Sequence, residues 1–181
     1  MEESSFLQPP AAVAAAGITE GMQVADFGAG SGFFTRAAAR EVGKSGAVWA
    51  VDVHRDLLPR IKTLSDAEGL HNVEVMHGNI EDPEGSRLPA GRFDFVIISN
   101  VLFAAQDKAA VVAEAHRVLN KTGRALVIDW SDSFGGLGPH PDHVVSRDEA
   151  ATLFERGGFR IGRDVPAGSY HWGFVAKNQV Q

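Results

Sequence analysis

The 181 residues contain no cysteine. That excludes disulfides, thiolate nucleophiles and cysteine-ligated metal sites together, and it suits a reducing cytoplasm. A long basic run is also missing. Acidic residues outnumber basic ones, 23 to 17, giving a formal net charge of -6, which weighs against nucleic acid or an anionic membrane as the main partner. The apolar stretch at residues 11–18 is too short to cross a bilayer, so no membrane insertion is expected. Glu2 and Glu3 stand where a secretion signal would be basic. Repeats and low-complexity linkers are absent, and the length suffices for one domain with a full core.

What is present is an alternation of strand-like and helix-like segments. Strand candidates are residues 22–27, 47–53, 72–76, 93–99 and 124–130, followed by a pair at 159–165 and 170–177. Pro9-Pro10 opens a short helix. Further helices are expected at 33–42, after a cap at Asp56, after a cap at Asp107, and after a capping box formed by Ser146 and Glu149. Strands separated by helices imply right-handed crossovers and a mostly parallel, doubly wound α/β sheet, to which the final pair adds an antiparallel strand. Ligands of such sheets bind outside the carboxyl ends of the strands.

The first such end carries VADFGAGSGFF, residues 24–34. Gly28, Gly30 and Gly32 permit turns closed to other residues and let a ligand approach the backbone, and the helix after them offers free N–H groups at its start. Asp52 ends the second strand, where a carboxylate can accept both hydroxyls of a ribose or cap the next helix. HGNIED, residues 77–82, follows the third strand, and Ser99-Asn100-Val101-Leu102-Phe103 follows the fourth. The loop at 131–145 is long, and such loops are usually functional or mobile. It holds Asp132, Phe134, His140 and His143; with Phe103 and the segment around Phe6 it could enclose a small substrate. His140, His143 and His171 are read mainly as surface or packing residues, with a metal site or a general base as the alternatives. Tyr170, Trp172 and Phe174 alternate and are expected to pack one face of the sheet.

Taken together, VADFGAGSGFF, VWAVDVH, HGNIED, RFDFVIISNVLF and HRVLNKTGRALVIDW resemble the motifs of class I S-adenosylmethionine-dependent methyltransferases, from about residue 22 to residue 130. The pattern is loosely similar to the quinone-biosynthesis group. The resemblance implies a Rossmann-like fold, S-adenosylmethionine as methyl donor, S-adenosylhomocysteine as product and a small-molecule acceptor. It implies that residues 1–181 form one domain: an N-terminal segment to residue 21 that can act as a lid, a cofactor core at 22–130, and a substrate loop with the C-terminal helix and hairpin at 131–181. Asp26 and the backbone of Gly28, Ala29 and Gly30 would lie by the methionine portion. Asp52 would hold the ribose, with Val53 against the adenine face; Asn79 would meet the adenine amine, Ile80 would cover the ring, and Asn100 would sit near the methyl group. Many relatives have aspartate where this chain has Asn79, so Glu81 or Asp82 is the alternative acid. The chain lacks the Asn/Asp-Pro-Pro-aromatic motif of amine-methylating nucleic-acid enzymes, and the cysteines used for pyrimidine C5 and arsenite methylation. Two other readings remain: a nicotinamide-dependent reductase, disfavoured by the glycine spacing and by a lone Tyr170 with no lysine four residues on, and a cofactor-binding module without catalysis.

Overall fold

The computed structural model describes residues 6–179; Glu2 and Glu3 lie outside the described residues. The strands β1 (Gln23–Phe27), β2 (Ala47–Asp52), β3 (Val73–His77), β4 (Phe93–Ser99), β5 (Leu119–Trp130), β6 (Phe159–Asp164) and β7 (His171–Asn178) form one sheet. Their order is β3-β2-β1-β4-β5-β7-β6. Every neighbouring pair from β3 to β5 is parallel, and β7 runs antiparallel to both β5 and β6. The central strands are buried on both faces, so they read as nearly continuous apolar runs rather than alternating ones.

Each face has its own core. On one, Val24, Phe95, Ile97, Leu126 and Ile128 meet α1 (Pro9–Ala16), α2 (Phe33–Val42) and Ile61 of α3 (Leu57–Ala67). On the other, Ala25, Phe27, Val96, Ile98 and Val127 meet α4 (Lys108–Val118) and α5 (Arg147–Arg156). The neighbours in each strand take opposite sides because side chains alternate across the pleat. α1 starts on its proline pair and stops at Gly17, which is left-handed at φ 86°. α4 is capped by the Asp107 side chain, and α5 by the reciprocal Ser146–Glu149 box.

Three local expectations change. Asp56 caps nothing: its backbone is already helical, at φ -70° and ψ -24°, so its carboxylate cannot turn back to the first free N–H groups. β5 begins at Leu119 rather than 124, because Phe93 pairs with Leu119 and Phe95 with Arg124 across a bulge. Tyr170 falls just before β7; only Trp172 and Phe174 stack there, 5.6 Å apart, while Tyr170 meets Phe6 and Phe134.

Candidate functional site

The chain lays β2 on one side of β1 and β4 on the other, so the loops leaving β1 and β4 diverge and open a crevice at the carboxyl edge. The turn after β1 crosses its floor. Gly28, Gly30 and Gly32 have φ of 69°, 54° and 75°, where side chains are strained. A Cβ on Gly28 would lie 2.7 Å from Val101 Cγ2, so the turn fits beneath the β4 loop only as glycine. The Arg36 guanidinium donates to the Ser31 and Gly32 carbonyls and to Glu68, which fixes the far side of the turn.

The amides of this turn are already used. Gly28 and Ala29 donate to the Val51 carbonyl at 2.9 and 3.1 Å, Gly32 to Ala29 at 2.8 Å, and Gly30 to Asp52 Oδ2 at 2.9 Å. Thr35, in the first turn of α2, gives its N–H to Asp26. The amides of Gly28, Ala29, Gly30 and Gly32 are therefore taken, so the turn itself has few to offer a pyrophosphate.

A cavity of about 290 Å³ lies over the turn and gathers Gly28, Asp52, Val53, Asn79, Ile80 and Asn100 from the loops after β1 to β4. Asp52 is buried; its Oδ1 accepts from the His54 N–H at 2.8 Å and lies 3.0 Å from His54 Nδ1, while Oδ2, which takes the Gly30 N–H, keeps a lone pair for a further donor. Asn79 holds its own loop in shape, donating to Asp82 and accepting from the Glu81 N–H. Ile80 is buried and Val53 exposed. Asn100 takes a left-handed φ of 56°. A second cavity, about 620 Å³, shares Gly28 and Asn100 and continues past Ala29 and Gly30 toward Phe6, Phe33, Ser99 and His171. Phe103 lines neither; it borders a third cavity with His143, across the β4 loop. The substrate enclosure expected from Phe103, Phe6 and the 131–145 loop is thus split between two places.

Asp26 also lines neither of the first two cavities. It lies beneath the turn, 2% exposed, accepting a 2.6 Å hydrogen bond from Thr35 Oγ1. Burial, and secondarily the nearby Asp52 charge, push its carboxyl up to about 6 against the pull of Thr35. Sequence reasoning missed a counterpart, Asp129 on β5. It is fully buried, and its Oδ2 accepts from the Leu102 and Phe103 N–H groups at 2.9 and 3.3 Å while Oδ1 accepts from Trp130 N–H. Burial raises it too to about 6. It anchors the loop that carries Asn100 and Val101. The signal was available: an acid near the carboxyl end of an apolar strand, as in Asp26. His140 and His143 rings stand 6.1 Å apart, whereas His171 packs on Trp130 at 4.2 Å. Among the described residues no three metal-ligating side chains gather.

A seven-stranded sheet with one antiparallel strand, and a cleft built from the loops after β1 to β4, define the class I S-adenosylmethionine-dependent methyltransferase fold. A family described as a methyltransferase domain matches residues 18–158, and the chain belongs to it. It is similar to the arsenite methyltransferase of Aquipseudomonas alcaligenes, 36% identical over 62% of this chain and 34% of that one. It is also similar to the ubiquinone/menaquinone biosynthesis C-methyltransferase UbiE of Laribacter hongkongensis, 31% identical over 68% of this chain and 49% of the relative. The chain thus spans half or less of these curated relatives. A solved S-adenosylmethionine-dependent methyltransferase from Aquifex aeolicus superposes with a TM-score of 0.86 at 29% identity, covering 96% of this chain and 90% of that one.

Proposed function

We propose that this protein transfers a methyl group from S-adenosylmethionine to a small organic acceptor. The observation that carries this reading is the cavity that brings Gly28, Asp52, Val53, Asn79, Ile80 and Asn100 together from four separate loops. Those residues fit the donor. Asp52 offers a carboxylate for ribose hydroxyls, Val53 and Ile80 offer apolar surface for adenine, and Asn79 keeps one donor and one acceptor for its edge. Gly28 lets the β4 loop close down on the floor, and Asn100 borders both cavities, where the reacting end would lie. When bound, the sulfonium supplies an activated methyl group with its leaving group already in place. The chain's task is to align an acceptor with that methyl and to exclude water. Asp26 acts at one remove, by tying Thr35 of α2 to the floor of the turn.

The relatives named for quinone biosynthesis support an organic acceptor. Arsenite is disfavoured, since a soft acceptor calls for thiolate ligands and these 181 residues have none. The lack of cysteine also supports a cytoplasmic setting. No helix among the described residues is long and apolar enough to cross a membrane.

Titration calorimetry with S-adenosylhomocysteine, with NADH as the control, tests the reading. S-adenosylhomocysteine is expected to bind and to raise Tm by linkage. Asp52→Ala should stay folded by circular dichroism and bind roughly 10- to 100-fold more weakly, the worth of hydrogen bonds to a charged group. Stabilisation by NADH instead would overturn the donor assignment, and unchanged affinity in Asp52→Ala would remove its ribose role.

A further inference from the structure

The larger of the two cavities that share Gly28 and Asn100 differs from its neighbour in chemistry. Phe6 and Phe33 stand on its border with more than half their surface exposed. Beyond Phe6, Tyr170 lies at 5.3 Å and Phe134 packs on Tyr170 at 4.9 Å, so three distant segments build one aromatic flank. Among the described residues that border the cavity, His171 is the one titratable side chain and none is a carboxylate, lysine or arginine. Two polar side chains there are unsatisfied. Ser99 Oγ and both ring nitrogens of His171 are shielded from solvent and have no hydrogen-bond partner among the described residues.

Register puts these groups on one face. Ser99 pairs with Ile128, and Trp130, two residues on, pairs with His171, so their side chains rise from the α1–α2 face of the sheet. A buried polar group without a partner costs about 1–3 kcal/mol, and native proteins retain such groups where a ligand or a reaction uses them. We propose that this cavity is the acceptor subsite, that it takes a mainly apolar molecule whose one ionisable group is a hydroxyl, and that His171 removes the hydroxyl proton. The inference rests on the methyl-transfer reading above and deepens it.

The step balances. A lone pair of the acceptor oxygen forms the new bond to the methyl carbon. The carbon–sulfur bonding pair returns to sulfur, which becomes a neutral thioether. The hydroxyl proton passes to a ring nitrogen of His171, giving an imidazolium that later releases it to water. Burial holds the imidazole below its ordinary proton affinity, so the ring is neutral and ready to accept at neutral pH. Both nitrogens are turned away from the open cavity here, and rotation about the Cβ–Cγ bond, broad and nearly two-fold for histidine, brings the nitrogen edge round to face it. Stacking on Trp130 keeps the ring in place meanwhile.

The test uses the full chain and two phenols: para-nitrophenol, ionised at a mildly alkaline assay pH, and para-cresol, which is not. S-adenosylhomocysteine binding is measured in parallel. The wild type is expected to methylate both. His171→Phe, which keeps a ring on Trp130, should lower kcat/KM for para-cresol by about 100-fold, the lower range of general-base effects, and for para-nitrophenol by no more than about threefold. His171→Asn is made alongside and must give the same split. Equal losses on both phenols, no loss on either, or a wild type that binds S-adenosylhomocysteine but methylates neither would overturn the acceptor proposal alone. Failure of the wild type to bind S-adenosylhomocysteine would overturn the methyl-transfer reading beneath it.

Discussion

The two cavities that meet at Gly28 and Asn100 sit side by side on one sheet edge, yet they are built differently. Around the smaller one, polar groups already have partners: the turn amides go to Val51, Ala29 and Asp52, and Asn79 gives one donor and one acceptor to its own loop. Around the larger one, Ser99 and His171 have none among the described residues, and aromatic rings replace hydrogen bonds. The first region is organised before anything binds, which spares a ligand the cost of ordering it. The second holds its polar groups in reserve. Such a division suits a donor that is always the same molecule and an acceptor chosen by a few contacts.

The largest effect expected is from removing the piece that both regions share. Asp129 fixes the loop carrying Asn100 and Val101 by accepting from Leu102, Phe103 and Trp130. Asp129→Ala leaves one buried N–H, that of Leu102, and two part-buried ones without a partner, and a fully buried one costs about 1–3 kcal/mol. Urea unfolding should show a loss of about 3 kcal/mol or more, and the folded fraction should bind S-adenosylhomocysteine more weakly. A loss under about 1 kcal/mol would show that the loop holds itself.

The same division explains what was legible in the sequence. The smaller cavity is lined by short motifs, each lying just after its own strand, so the Gly28 turn and Asp52 are legible from local pattern, while Asn79 and Asn100 enter through the resemblance of HGNIED and RFDFVIISNVLF to family motifs. The sheet was legible for the same reason, since apolar runs and caps such as Asp107 and Ser146 are local signals. The larger cavity joins Phe6, Ser99 and His171 across more than 150 residues, and no spacing rule reports which strand end lies beside which N-terminal turn. Phe103 borders a different cavity from Phe6 because direction out of a loop is set by its anchor, Asp129, and not by sequence. Asp56 failed as a cap since only backbone conformation decides whether a carboxylate can reach back.

A pH series separates two buried acids from ordinary ones. Asp26 has a folded pKa raised from 3.8 to about 6, chiefly by burial. Between those values the folded state binds more protons than the unfolded state, so this group's contribution is full below about 3.8 and is lost as pH rises through about 6. At about 1.4 kcal/mol per pKa unit, the contribution is about 3 kcal/mol across the window. Glu114 opposes it: burial would raise that carboxyl, but hydrogen bonds from Arg117 and Ser86 outweigh burial and lower it. The comparison is therefore made by difference. Asp26→Asn should gain stability relative to the wild type as pH rises from about 4 to about 7. A constant difference between the two proteins across that range would show that Asp26 does not titrate there.

The smallest effects give the sharpest contrast, because one change can be made in each region. Thr35 and Ser99 both present hydroxyls inside the protein, one donating to Asp26 and the other without a partner among the described residues. Thr35→Val removes a donor to a buried carboxylate and should cost about 1–3 kcal/mol. Ser99→Ala removes an unpaired group and should be neutral or stabilising by up to about 1 kcal/mol. Thermal unfolding of the two variants reads the difference directly. If Ser99→Ala costs as much as Thr35→Val, the hydroxyl of Ser99 is not held in reserve, and the two cavities are organised alike.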